Sequence, residues 1–249
     1  MEGTNNIVAI ASGKGGVGKT WLAITLSHLF ARSGRRVLLF DGDIGLANVD
    51  VQLGLTPKQD LGAVIKGEVT LEQAITHYPA GFDIIAGRSG SASLANLSLS
   101  KLQQLKTELQ DISKNYDHVI IDLGAGIEQY VQFLTSIASR CIVVITDEPT
   151  SLTDAYAFIK LAVTRLNRPD IQVVVNQAAS QKEGEKTYGA LLKACTNFLN
   201  VAPPLLGIVR KDNKVRDTIR AQSSLIEKAA YTTAATDCAA ISIKLMQKA

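Results

Sequence analysis

Eight residues, Gly13-Lys14-Gly15-Gly16-Val17-Gly18-Lys19-Thr20, carry the densest chemistry in the chain. Their pattern, G-x-x-x-x-G-K-T, is that of a loop built to hold phosphate. Glycines let successive backbone N–H groups converge on one anion. A helix starting directly afterwards adds unpaired N–H groups and partial positive charge. Lys19 supplies a full charge for the β- and γ-phosphates. Thr20 supplies a hydroxyl for Mg²⁺, a hard cation that shares oxygen ligands with phosphates. Lys14 is a second lysine inside the loop. Beside Gly15 and Gly16 it is either a solvated side chain or a donor that stabilises charge developing in phosphoryl transfer, as an arginine finger does.

Carboxylates complete the set. Asp122 closes the apolar run Val119-Ile120-Ile121 and precedes Leu123-Gly124-Ala125-Gly126. A carboxylate there is placed to hold Mg²⁺ directly or through water, and its bland alternative is a helix cap. Asp41 and Asp43 follow Val37-Leu38-Leu39-Phe40. Two apart in an extended chain, they point to one side, so that one can reach the metal shell and the other a water for in-line attack. Their bland alternative is a polar turn.

These groups need a scaffold that brings strand ends together. Apolar, β-branched runs at 7–11, 35–41, 82–86, 119–122, 141–146, 171–176 and 204–209 alternate with helix-period stretches. Continuous rather than alternating hydrophobicity marks strands buried on both faces. Helices are expected at 21–30, 60–66, 70–77, 100–114, 127–138, 152–166, 185–199, 213–222 and 228–247. Thr70 and Gln73 have capping-box spacing, and 87–93 reads as a small-residue loop. The fold class is therefore α/β: a doubly wound, mostly parallel sheet with helices on both faces. With no Pro/Gly/Ser linker and no internal repeat, residues 1–249 read as a single domain.

Composition narrows the setting. The chain is 46% apolar and 20% charged, with a net charge of +3, as in an ordinary globular protein. Cys141, Cys195 and Cys238 are far apart and odd in number, which fits a reducing cytoplasmic setting rather than a disulfide framework or a metal site. His28, His77 and His118 are scattered. The N-terminus has no signal-peptide pattern, and no apolar run approaches the ~20 residues that span a bilayer.

At this point the chain resembles a known family. Lys14 to Thr20 is similar to the deviant phosphate loop of the MinD/ParA ATPases. Asp41-Gly42-Asp43-Ile44-Gly45-Leu46-Ala47-Asn48-Val49-Asp50 resembles their first switch region, and Asp122 to Ile127 their second. The fit, with that of 147–156, is best to the FlhG/FleN regulators of flagellar number and placement. The resemblance covers roughly 7–225. It implies an ATP- and Mg²⁺-dependent homodimer with slow, partner-stimulated hydrolysis, in which two copies sandwich two nucleotides. Gly13, Gly15, Gly16, Val17 and Gly18 would cradle phosphate, with Lys19 and Thr20 acting in cis and Lys14 crossing to the partner copy. Asp43 would position water, with Asp41 and Asp122 near the metal. Asn176 would bond adenine, and Asp212 would lie beside it. It also implies a flagellar protein partner and a cytoplasmic chain recruited to a cell pole or a membrane-associated complex.

Three departures stand out. Trp21 occupies a position that is usually small or polar, beside the α-phosphate. Arg210 stands in the adenine loop where proline is usual. The C-terminal segment carries Ile241, Ile243, Leu245 and Met246 with only two lysines, Lys244 and Lys248, so autonomous membrane binding is not expected. Other classes stay open: a ParA-like DNA-partitioning ATPase using Arg210, Lys211, Lys214, Arg216 and Arg220, a MinD-like regulator of the division site, and an ATP-binding protein that sequesters a transcription factor without turnover.

Overall fold

The computed structural model describes residues 6–43, 47–87, 98–166 and 170–247. The chain runs β1 (Ile7–Ala11), α1 (Lys19–Arg32), β2 (Val37–Gly42), α2 (Val49–Leu53), α3 (Leu61–Lys66), a 3₁₀ turn (Glu72–Ala74), β3 (Ile75–Tyr78), β4 (Phe82–Ile85), α4 (Leu99–Ser113) and β5 (His118–Leu123). It continues through α5 (Gln129–Ile137), β6 (Arg140–Ile145), α6 (Pro149–Arg165), β7 (Asp170–Ala178), α7 (Gln181–Leu199), β8 (Leu205–Arg210), α8 (Asn213–Arg220), α9 (Leu225–Lys228) and α10 (Thr233–Gln247).

The strands form one eight-stranded sheet in the order β3-β4-β2-β5-β1-β6-β7-β8. Every pairing is parallel except β3 with β4. Alternate residues of β1 serve different cores. Ile7, Ala9 and Ala11 join the layer under α4 to α7, whereas Val8 and Ile10 join the layer under α1, α9 and α10. Burial on both faces is what the unbroken apolar runs demanded. β1 lies between β5 and β6, so the strand order reverses beside it and leaves a crevice at its carboxyl end. The Ser12 to Thr20 loop leaves from there.

Two expected helices differ. At 70–77 the capping box forms, with Thr70 N–H on Gln73 Oε1 at 2.9 Å and Gln73 N–H on Thr70 Oγ1 at 3.3 Å. It caps only the short 3₁₀ turn, after which Ile75–Tyr78 pairs antiparallel with β4. The helix expected over 228–247 starts only at Thr233, as α10; Lys228 closes a separate short helix, α9, whose Ser224 cap accepts from Glu227 N. Helices α6 and α7 begin earlier than expected, at Pro149 and after a Ser180 cap. Most of the 87–93 loop and Ile44 to Leu46 lie outside the described residues.

Candidate functional site

The loop is pinned at its base and open at its crest. Lys19 Nζ donates to Ser12 Oγ at 2.9 Å, and Ser12 Oγ donates to the Lys14 carbonyl at 2.6 Å. Asn176 Nδ2 donates to the Val17 carbonyl at 2.8 Å. Gly126 N–H, after β5, donates to the Ser12 carbonyl at 3.0 Å. Two glycines are required sterically. A Cβ on Gly13 would overlap the Asp154 backbone, and one on Gly18, at φ 94°, would overlap the Asn176 amide. At Gly15 and Gly16, by contrast, a Cβ would meet nothing within 4 Å. α1 begins with no side-chain cap, so its first N–H groups remain available to an anion.

Lys19 is buried, and burial lowers its pKa against the opposing pull of Asp122 and Asp43. Lys14 is pinned differently. Its ammonium bonds the Glu148 carboxylate and, at 2.9 Å, the Thr150 hydroxyl, both at the start of α6 in the same chain.

Asp41 and Asp122 are register partners on β2 and β5. Asp41 accepts the N–H groups of Asp43, Asn48 and Val49, each at 3.1 Å. Both Asp122 oxygens are buried without a hydrogen-bond partner. The Thr20 hydroxyl is near enough to draw the carboxyl's pKa down without completing that bond. Burial and the neighbouring Asp41 dominate and push it up; burial likewise raises Asp41. An orphaned carboxylate opposite a second one, beside a threonine hydroxyl, is an oxygen donor set suited to Mg²⁺. Asp43 lies past the end of β2, with its carboxylate against Gly124, where a Cβ would stand 3.4 Å from Asp43 Oδ1. The Asp43 carboxylate therefore lies beside the turn that follows β5.

A cavity of about 340 Å³ adjoins the loop, lined by Gly16, Gly18, Trp21, Asn176, Val209, Arg210, Asp212, Val215 and Ile219 among others. Its volume and mixed lining suit a nucleobase. Trp21 is 5% exposed, and its indole N–H is buried without a partner. Asn176 lines the cavity with its amide engaged: Oδ1 accepts Gln177 N–H at 2.9 Å while Nδ2 holds the loop. Arg210 is tied to Asp237 on α10. Asp212 caps α8, accepting Lys214 N–H at 2.9 Å.

The structure thus brings Lys14, Lys19, Thr20, Asp41, Asp43 and Asp122 to one edge, with the Asn176, Arg210 and Asp212 wall beside them. Sequence reasoning gave no role to Ser12, Glu148, Thr150, Asp237 or Tyr130, although Glu148 and Thr150 lie in the 147–156 segment that carried part of the resemblance. Ser12 was marked by its place directly before the glycine loop, and Asp237 and Tyr130 by nothing local. Tyr130 has a buried, unpartnered hydroxyl whose pKa is raised first by burial and then by Asp41 and Asp43.

Two peripheral features change meaning. Within the basic cluster, Arg210 pairs with Asp237 and Lys214 with Asp217. The apolar face of α10 is committed to the core, with Ile241 at 1% and Leu245 at 2% exposure against 50% for Ile243. Among the described residues, no helix is long and apolar enough to cross a membrane.

Comparison with known proteins gives concordant matches. The CobQ/CobB/MinD/ParA nucleotide-binding domain matches residues 8–225. The chain is 40% identical over 221 residues to the antiactivator FleN of Pseudomonas aeruginosa, covering 89% of this chain and 79% of FleN. It is 32% identical over 226 residues to the flagellum site-determining protein YlxH of Helicobacter pylori, covering 90% of this chain and 76% of YlxH. The crystal structure of the cell division ATPase MinD of Pyrococcus furiosus superposes with a TM-score of 0.83 at 22% identity, covering 99% of this chain and all of that one.

Proposed function

Because this chain belongs to the CobQ/CobB/MinD/ParA nucleotide-binding family, we propose that it is an ATP-operated switch that dimerises with ATP, hydrolyses it slowly and regulates flagellar number or placement. One observation carries the chemical part. A phosphate loop containing two lysines opens on an uncapped helix start opposite a buried, unpartnered Asp122. The name of the YlxH relative, a flagellum site-determining protein, supports the flagellar part, and that of the antiactivator FleN supports a regulatory one.

In this reading, loop N–H groups and those of α1 hold the phosphates, and Lys19 neutralises their charge from within the domain. Thr20, Asp122 and Asp41 would hold Mg²⁺, which supplies Lewis-acid neutralisation of phosphate charge. Asp43 orients the attacking water from its place against Gly124. Lys14 leaves Glu148 and Thr150 and reaches the triphosphate of a second copy, adding charge stabilisation that only the dimer possesses. The base lies in the cavity beside Trp21. The chain works in the cytoplasm as one domain spanning residues 1–249, recruited through a flagellar partner protein.

Light scattering with ADP, and with ATP on Asp43→Ala, tests the switch. A dimer with ATP alone is expected; a monomer in both overturns the reading. A DNA-partitioning role has the basic α8 cluster behind it, but two of its cations are spent on internal pairs. A salt-dependent, ATP-dependent gel shift would favour that role instead.

A further inference from the structure

The wall of the base cavity is fastened to α10 at two points. Arg210, the last residue of β8, directs three donors at one carboxylate. Its backbone N–H and Nε reach Asp237 Oδ2 at 3.0 and 2.9 Å, and Nη2 reaches Oδ1 at 2.7 Å. Two residues on, Asp212 Oδ2 accepts the Ala234 N–H of α10 at 3.2 Å. Between and beyond these contacts stand Val209, Val215 and Ile219, which line the cavity.

The pair is sheltered on one side: the Asp237 side chain is 12% exposed and that of Arg210 41%. A shielded carboxylate receiving a guanidinium fork and a backbone N–H fixes geometry as well as charge. α10 is in turn packed and hydrogen-bonded against the sheet. Ile241 packs on Gly207, where a Cβ would collide with it. Arg140 Nη1 holds the Leu245 carbonyl at 3.0 Å, and Lys244 Nζ holds the Leu206 carbonyl at 2.8 Å. The turn from β8 to α8 therefore takes its position from a helix that does not itself touch the cavity.

We propose that Asp237 is a positioning residue for the base-binding half of the nucleotide site, acting through Arg210, so that base occupancy and the docking of α10 are coupled. The proposal rests on the reading of the cavity as the base site. Coupling is reciprocal: if a docked α10 favours the base, the base favours a docked α10 by the same factor. The C-terminal helix would thus report nucleotide occupancy.

The test separates base from phosphate. ADP and inorganic tripolyphosphate are titrated calorimetrically into the full chain and into Asp237→Asn. Expected is a loss of about tenfold in ADP affinity, with tripolyphosphate unchanged within about twofold. The exchanged pair Arg210→Asp with Asp237→Arg should recover part of the ADP loss. Hydrogen exchange adds a readout that general damage would not produce: ADP should slow the amides of 233–238 in the parent and not in Asp237→Asn. If Asp237→Asn does not fold, Arg210→Lys, which keeps the charge and loses the fork, should weaken ADP alone. Equal ADP affinity in the variants, or parallel loss of both ligands, overturns the proposal. A parent chain that binds tripolyphosphate but not ADP overturns the base assignment itself, and one that binds neither overturns the nucleotide reading.

Discussion

The Lys14 ammonium is held inside its own chain, by the Glu148 carboxylate and the Thr150 hydroxyl at 2.9 Å. This is the residue assigned to reach a second copy. The two positions are compatible on energetic grounds. The side chains are 36% and 58% exposed, and pairs this open to water are worth roughly 0–1 kcal/mol. A charge-assisted contact of the proposed kind with a triphosphate would outweigh that.

Lys14→Ala should accordingly abolish the ATP-dependent dimer while leaving ADP affinity within about threefold, since a trans residue contributes little to the monomer site. Light scattering and calorimetry measure the two quantities. An equal loss of ADP affinity would place Lys14 in cis.

Glycines in the loop should separate cleanly by position. Gly13→Ala drives a methyl group into the Asp154 backbone, whereas Gly15→Ala points into open space. The first should destabilise by about 2 kcal/mol or more, as overpacking against backbone does, and the second by under about 0.5 kcal/mol. Urea unfolding of both variants decides it. Comparable midpoints would mean that the loop relaxes away from α6.

Asp122 makes a pH prediction with a definite sign. Burial and Asp41 raise its folded pKa above the unfolded value of 3.8. Between those two values the folded chain keeps a proton that the unfolded chain has released, so stability falls as pH rises through that interval. Without nucleotide, Asp122→Asn should therefore melt higher than the parent at about pH 8, the difference shrinking towards about pH 5. The same variant should lose Mg²⁺-dependent tightening of ADP binding. A melting difference that grows on acidification would contradict the assignment.

α10 offers a contrast between two isoleucines. Ile241 is buried against Gly207, and Ile243 is half exposed. Ile241→Ala should cost about 2–5 kcal/mol, as buried Ile truncations do, and Ile243→Ala under about 0.5 kcal/mol. Sedimentation with anionic vesicles should recover little protein for either variant, because the apolar face of the helix belongs to the core.

The sheet and the strand–loop–helix unit that carries Lys19 were legible because their signals are local. Continuous β-branched runs mean two-sided burial, and glycines before Lys19 and Thr20 mark a tight turn from strand into helix. The errors came where local and tertiary signals parted. Thr70 and Gln73 do exchange capping bonds, yet pairing with β4 claims Ile75–Tyr78 before a helix can extend. The break at 229–232 has no glycine or proline to announce it. The pairings of Glu148 with Lys14 and of Asp237 with Arg210 were not foreseen for another reason: each joins positions far apart in the chain, and no spacing rule links them.

The reversed strand β3 has a bearing on self-association. Only four residues long and antiparallel to its neighbour, it closes one flank of the sheet with too short a rung to template another chain. On the opposite flank Lys244 already occupies the Leu206 carbonyl of β8. Short and lysine-blocked borders disfavour edge-to-edge aggregation. Any meeting of two copies is thereby discouraged from lengthening the ribbon, which leaves the loop face open to the proposed dimer.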